Sequence, residues 1–85
     1  MTYEVEITPA AKRQIKKLTK SIQQLIVKRL EELVENPRPP GVLKMEGEEN
    51  LYRVRVGDYR IIYQVQDRML LIVVVKVGHR GNVYR

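Results

Sequence analysis

The sequence predicts an α+β domain in which a helical hairpin packs on one face of an antiparallel sheet. Apolar residues recur every second position over residues 2–7, at helical spacing from residue 9 to 34, and again every second position after residue 43. This order of strand, two helices and three to four strands is typical of α+β folds. Because 85 residues leave room for only one hydrophobic core, we expect a single domain, 1–85.

The first elements carry clear boundary signals. Residues 2–7 alternate between apolar and polar side chains, which predicts a half-buried strand. Thr8 is the predicted N-cap of the first helix, and Pro9 suits its first helical position. For the second helix, Ser21 and Gln24 match a capping box, and residues 35–41, "ENPRPPG", end it.

The remaining residues predict strands. Leu43 and Met45 indicate a short edge strand, and two alternating runs flank Gly57–Asp58, a pattern typical of a hairpin with a type II′ turn. Residues 69–77 are apolar on both faces, so we place this strand in the centre of the sheet, covered at least in part on each side.

The hairpin carries three arginines on one face. With a two-residue turn, Arg55 lies opposite Arg60 and Arg53 faces Ile62, so the arginines point away from the helices. Directly opposed like charges destabilise a sheet by up to about 1 kcal/mol. One interpretation is an ordinary solvated face. However, guanidinium groups form bidentate hydrogen bonds with phosphate and carboxylate, which favours an anionic ligand.

Charge and the last residues point to a polyanion. Residues 1–49 hold nine Lys/Arg and eight acids, whereas residues 50–85 hold seven Lys/Arg and two acids. That excess favours nucleic acid or an acidic protein segment. The final segment, "VGHRGNVYR", adds side chains that a ribonuclease uses, although each is also common as a plain surface or packing residue: His79, Arg80, Tyr84 and Arg85.

Other chemistries lack their signals. The chain has no Cys, no P-loop, no HExxH and no zinc spacing, and the acids nearest the arginines, Asp58 and Asp67, both read as turn residues. We therefore expect no metal and no cofactor. There is no signal-peptide pattern, and the longest apolar run is too short for a bilayer, so we expect a soluble cytoplasmic protein with no membrane partner.

The passages "LYRVRVGDYRIIYQV" and "VVVKVGHRGNVYR" resemble the RelE/ParE superfamily of toxins from bacterial and archaeal toxin–antitoxin pairs, and the RelE branch most closely. The resemblance covers nearly the whole chain. It implies a metal-independent mRNA interferase that cuts messages in the ribosomal A site, and a cognate antitoxin that neutralises it.

The resemblance also implies roles for individual residues. Arg53 and Arg55 would contact and polarise the scissile phosphate, and Arg60 would stabilise the transition-state charge. Arg80 would assist the leaving 5′-oxygen, and Tyr84 would orient the substrate or nucleophile. From its charge alone, we also expect Arg85 to contact RNA.

This chain departs from the family pattern at two positions. Arg53 and Arg55 stand where members of the family often have lysines. A guanidinium is effectively never neutral, so Arg53 and Arg55 cannot accept a proton. That task would pass to His79, which stands where a basic residue is often found, to Tyr84, or to the ribosome. An imidazole titrates nearer neutral pH than a phenol and is the better proton shuttle.

Two other functions fit the resemblance. One is a ParE-like inhibitor of DNA gyrase with no catalytic activity, and the other is an inactive member that only binds RNA or an antitoxin. The full basic set together with Tyr84 favours the ribonuclease.

Overall fold

The computed structural model describes residues 2–79, in which two helices pack on a five-stranded mixed sheet. The strand order across the sheet is β1-β5-β4-β3-β2. In chain order the elements are β1 (Glu4–Ile7), α1 (Pro9–Lys16), α2 (Lys20–Glu35), β2 (Leu43–Lys44), β3 (Leu51–Val56), β4 (Tyr59–Gln66) and β5 (Leu71–His79). The predicted α+β class and the order of elements are confirmed.

The sheet differs from the predicted antiparallel one at its β1 edge. Strands β2 to β5 pair antiparallel with their neighbours, but β1 pairs parallel with β5, and Val5 lies beside Ile72. The helical hairpin carries the chain over the sheet, and parallel strands are joined by crossovers of this kind. β1 therefore joins the four later strands at the free edge of β5 and makes the sheet mixed.

Helix α1 begins at the predicted cap. Thr8 Oγ1 accepts a hydrogen bond from the backbone N–H of Ala11 at 3.2 Å, and Pro9 holds the first helical position. The Thr8 hydroxyl also donates to the carbonyl of Val75 at 3.1 Å. One side chain thus caps the helix and attaches it to β5.

Helix α2 begins earlier than predicted, and the proposed capping box of Ser21 and Gln24 is wrong. Its N-cap is Thr19, whose Oγ1 accepts from the backbone N–H of Ile22 at 3.4 Å. Threonine offers the same capping oxygen as serine, and its place two residues earlier lets the helix gain a further half turn. Gln23 instead donates to the carbonyls of Ile15 and Leu18 at 3.0 and 3.1 Å, which satisfies the C-terminal end of α1.

The hydrophobic core lies between the helices and one face of the sheet. Its helical members include Ala11, Ile26 and Leu33, and none of these is more than 1% exposed. The sheet contributes Tyr52, Val54, Val56, Ile61, Tyr63, Val65, Ile72, Val74 and Val77. Burial raises the pKa of Tyr63 to about 12, and its hydroxyl donates to the carbonyl of Pro37 at 2.6 Å.

Four polar side chains, which we call the Arg38–Asp67 cluster, hold the loop after α2 against the end of the sheet: Tyr3, Arg38, Tyr52 and Asp67. Arg38 donates to both carboxylate oxygens of Asp67 (3.1 and 2.8 Å), and its Nε donates to the Tyr52 hydroxyl at 2.8 Å. Tyr3 donates to Asp67 at 2.7 Å. The bonds from Arg38 and Tyr3 lower the pKa of Asp67 to about 2.

The last described strand is central, as predicted, because β5 lies between β1 and β4. Its predicted start is wrong. Met69 belongs to a short 3₁₀ helix, Asp67–Met69, and is 69% exposed, whereas β5 begins at Leu71. Ile72, Val74 and Val77 are buried, and Val73 on the other face is half-buried, so the second face has only partial cover.

Candidate functional site

The β3–β4 hairpin presents its arginines in the predicted register. Val56 pairs with Tyr59, Arg55 with Arg60 and Arg53 with Ile62. Gly57 has a φ of +59°, and Asp58 is not among the residues with positive φ, which fits a type II′ turn. Because the loop has two residues, the predicted opposition of Arg55 and Arg60 is confirmed.

The arginines occupy the face of the sheet turned away from the helices, which we call the open face. They alternate along the hairpin with residues buried under the helices, such as Val54 and Ile61. Ile62, which lies opposite Arg53, is on the open face but only 5% exposed. It forms an apolar floor between charged side chains.

A cleft of about 300 Å³ runs beside the hairpin and is lined by Gly41, Leu43, Arg53, Val54, Arg55 and Arg60. Leu43 pairs with Arg53 and is 53% exposed, so β2 forms one wall of the cleft. Gly41 has a φ of +91°, a conformation that favours glycine, and it lets the loop turn at the edge of the cleft. The cleft therefore combines three guanidinium groups with an apolar wall.

A backbone carbonyl at the turn fixes the direction of Arg55. Arg55 Nε donates to the carbonyl of Gly57 at 2.9 Å. The Nη1 of Arg60 lies 3.5 Å from the carbonyl of Tyr59, at the long limit for a hydrogen bond. A guanidinium has five N–H donors, so Arg55 has further donors on its Nη groups when its Nε is engaged.

His79 lies at the end of β5 and pairs with Tyr59. The two rings meet edge to face, with centroids 5.4 Å apart. Because Tyr59 shares the side of Ile61 and not that of Arg60, strand parity turns His79 toward the helix side of the sheet. The structure thus brings Arg53, Arg55 and Arg60 together but not His79 with them, and the predicted residues Arg80, Tyr84 and Arg85 lie outside the described residues.

Lys76 is a cation of the open face that sequence reasoning missed. It pairs with Ile62, which in turn pairs with Arg53, so the three residues form one row across β3, β4 and β5. Nothing in the local sequence reveals this position, because Lys76 stands in an otherwise apolar run, where alternation gives no information about which side faces the helices.

A metal-binding cluster and a membrane-spanning helix are both absent from residues 2–79. No three His, Asp or Glu side chains there lie close enough together to hold a metal ion. No helix in that range is long and apolar enough to span a bilayer.

Comparison with known proteins identifies the family. The family model for the ParE toxin of the type II toxin–antitoxin system parDE matches residues 5–84. A putative RelE-like toxin protein from Escherichia coli is 38% identical over 88 residues, which cover 99% of this chain and 92% of the relative.

The chain is a RelE/ParE superfamily toxin. The mRNA interferase toxin RelE of Escherichia coli K12 is 30% identical over 88 residues, covering 99% of this chain and 92% of that one. The relatives include proteins named RelE-like toxin, mRNA interferase toxin RelE and toxin RelG, and this toxin belongs to the RelE branch, as the sequence resemblance implies.

Solved RelE structures share the fold of this toxin. The archaeal RelE–RelB complex from Pyrococcus horikoshii OT3 superposes with a TM-score of 0.85 at 33% identity, over 98% of this chain and 100% of that chain. The intact RelBE toxin–antitoxin complex of Escherichia coli gives 0.83 at 27% identity, over 94% and 99%.

Proposed function

We propose that this RelE-family toxin is an endoribonuclease that cleaves mRNA in the ribosomal A site and is neutralised by a cognate antitoxin. The observation that carries the proposal is the open face with three arginines, two of them directly opposite each other. Relatives from Escherichia coli K12 and Shigella flexneri are named mRNA interferases, and the Pyrococcus horikoshii toxin was solved with RelB. A ribosomal substrate places the activity in the cytoplasm.

In the proposed reaction the RNA supplies its own nucleophile. The 2′-oxygen attacks the adjacent phosphorus, the bond from phosphorus to the 5′-oxygen of the next nucleotide breaks, and a 2′,3′-cyclic phosphate and a 5′-hydroxyl form. Arg53 and Arg55 hold the phosphate, and Arg60 stabilises the charge that develops on it. Because guanidinium groups provide this stabilisation, the reaction needs no metal ion.

Two proton transfers complete the reaction. The 2′-hydroxyl must lose a proton, and the three guanidinium groups cannot accept it because they remain charged. Tyr84 and the ribosome are the remaining candidates for that base, because His79 lies on the helix side of the sheet, away from the three arginines. The departing 5′-oxygen must gain a proton, which solvent supplies, and we propose that Arg80 assists it by donating a hydrogen bond that stabilises its developing charge.

Primer extension on a translated message tests the proposal. After induction of the toxin, we expect cuts within codons, and we expect these cuts to vanish from the same message when its start codon is removed. A toxin carrying Arg60→Ala serves as the control for cuts made by host nucleases. Intact messages in cells that have stopped growing would contradict the proposed activity.

A second candidate function is inhibition of DNA gyrase without catalysis, and the match to the ParE family model favours it. The same cells distinguish the two functions. Gyrase-linked DNA breaks with intact messages would support the ParE-like activity, whereas codon-dependent cuts with intact DNA would exclude it.

A further inference from the structure

We propose that Lys76 is a fourth phosphate-binding cation of the open face, turned there by a β-bulge at Val75. On β5, Val74 pairs with Tyr63 and Lys76 pairs with Ile62, and the register shifts between Ile62 and Tyr63. Val75 is the extra residue, with no partner on β4. Simple alternation from the buried Ile72 and Val74 would have put Lys76 on the helix side, under α1.

Helix α1 and its cap hold the bulge in place. Strand β1 ends beside Val74, so the next backbone groups of β5 lose their β1 partners. Thr8 takes over there, because its N–H donates to the carbonyl of Val74 at 3.0 Å and its hydroxyl donates to that of Val75 at 3.1 Å. Gln14 Oε1 accepts from the N–H of Val77 at 2.7 Å. These bonds fix the backbone on both sides of Lys76.

The bulge makes Arg60 the centre of a four-cation cluster. Arg60 lies opposite Arg55 on β3 and opposite Gly78 on β5, and Lys76 stands two residues before Gly78 on the same face. Diagonal neighbours of this kind lie roughly 7–8 Å apart, with their Cβ atoms somewhat closer, which is within reach of long side chains. Gly78 has no side chain, so no side chain of β5 stands directly opposite Arg60.

The position of Lys76 indicates the path of the bound RNA across the sheet. Arg53 and Lys76 lie in one row, separated by Ile62, and neighbouring strands are about 4.8 Å apart. Cations on three adjacent strands favour a chain of phosphates that crosses β3, β4 and β5, with the apolar floor at Ile62 beneath it. This inference rests on the proposed function, since it assigns one more contact to the same RNA site.

Salt-dependent binding of a single-stranded RNA tests the assignment. The probe is a fluorescein-labelled ten-nucleotide RNA with 2′-O-methyl groups, which has no free 2′-hydroxyl and is not cleaved. Full-length toxin, K76Q, K44Q and R60Q are compared by fluorescence anisotropy across a range of KCl concentrations. K44Q is the matched control, because Lys44 is a strand lysine opposite Tyr52 and so lies on the other face of the sheet.

We expect K76Q to weaken binding at low salt by roughly fivefold. Its slope of log affinity against log salt should fall by about 0.7, the value for one phosphate contact on a single strand. K44Q should match the unmodified toxin, and K76R should restore both quantities. Equal behaviour of K76Q and K44Q, with R60Q still impaired, would overturn the role of Lys76 and leave the proposed function standing.

Two other outcomes would overturn the assignment of Lys76. If the unmodified toxin fails to bind the RNA, or binds it with no dependence on salt, the role of Lys76 is overturned, whereas the proposed function, whose substrate is mRNA in the ribosomal A site, is decided by the primer extension. If K76R loses as much affinity as K76Q while all variants keep the same thermal midpoint, charge at this position is not what binds the RNA, and the assignment is again overturned.

Discussion

Arg55 and Arg60 stand directly opposite each other across the β3–β4 hairpin, on the face of the sheet that the helices leave uncovered. Opposed cations at this spacing destabilise a sheet. Under the proposed function, a phosphate bound between the two guanidinium groups would offset this repulsion. Removing one of the two cations should therefore raise stability and lower activity.

Replacing Arg55 by threonine should stabilise the fold and abolish the activity. Threonine favours strands, and its introduction removes the repulsion with Arg60, so we expect the free energy of unfolding to rise by a few tenths up to about 1 kcal/mol. Urea denaturation measures this change. Lys44→Thr is the control, since the strand partner of Lys44 is Tyr52, which is not a cation. A loss of stability in Arg55→Thr would show that the opposition carries no cost.

Arg60→Ala should lower the rate of mRNA cleavage on programmed ribosomes by roughly 10²- to 10³-fold, the effect of removing one donor that stabilises a transition-state charge. Arg60→Lys keeps the charge but loses the bidentate hydrogen-bonding geometry. Its cleavage rate should therefore lie between the rates of Arg60→Ala and the unmodified toxin. Single-turnover cleavage measures both rates. Circular dichroism and antitoxin binding should match the unmodified toxin, and a cleavage rate unchanged in Arg60→Ala would remove this residue from the site.

Asp67 should make stability depend on acid pH. Its pKa is about 2 in the fold against an ordinary value of 3.8, so the bonds from Arg38 and Tyr3 stabilise the fold above about pH 4. That contribution is lost as the pH falls from about 4 to about 2. Asp67→Asn should therefore be less stable than the unmodified toxin at pH 7, and the difference should shrink over this range.

Urea unfolding from pH 7 down to pH 2 measures that difference. Asp58→Asn is the matched control, because Asp58 is an exposed turn aspartate that loses the same charge. A difference that stays constant with pH for Asp67→Asn, or one of equal size for Asp58→Asn, would mean that the bonds to Arg38 and Tyr3 do not stabilise the charged carboxylate.

Gln14 should act on RNA binding through the bulge. Gln14→Leu removes the acceptor of the Val77 N–H, and we expect it to cost about 1 to 2 kcal/mol of stability and to lower the salt slope of RNA binding as Lys76→Gln does. Gln14→Glu keeps an oxygen acceptor and should retain most of the slope. Because both changes act on one contact, combining Gln14→Leu with Lys76→Gln should lower the slope no further. If the double variant lowers the salt slope by the sum of the two single effects, Gln14 does not act through Lys76.

Much of the fold and one part of the site follow from local sequence. The Thr8 cap, the helical hairpin and the hairpin register were all predicted, because capping oxygens, period and turn length act within a few residues. The α2 cap was misplaced by two residues, since Thr19 and Ser21 offer the same capping chemistry and spacing does not choose between them.

The sequence by itself determined the arginine face. Side chains alternate with a period of two along a strand, and the two-residue turn at Gly57–Asp58 fixes how the strands align, so Arg53, Arg55 and Arg60 had to share a side. The family resemblance can also be read from consecutive residues, because the same passage carries part of it.

Only the tertiary structure decided what depends on distant partners. Arg38 and Asp67 pair across 29 residues, β1 joins β5 in parallel, and Lys76 reaches the open face because Thr8 and Gln14 hold a bulge in β5. An apolar strand can place either side toward the core, and spacing along the chain does not record which residues meet across the sheet. The side of the sheet that Lys76 faces is set by backbone hydrogen bonds of β5 to Thr8 and Gln14, which α1 brings beside the strand.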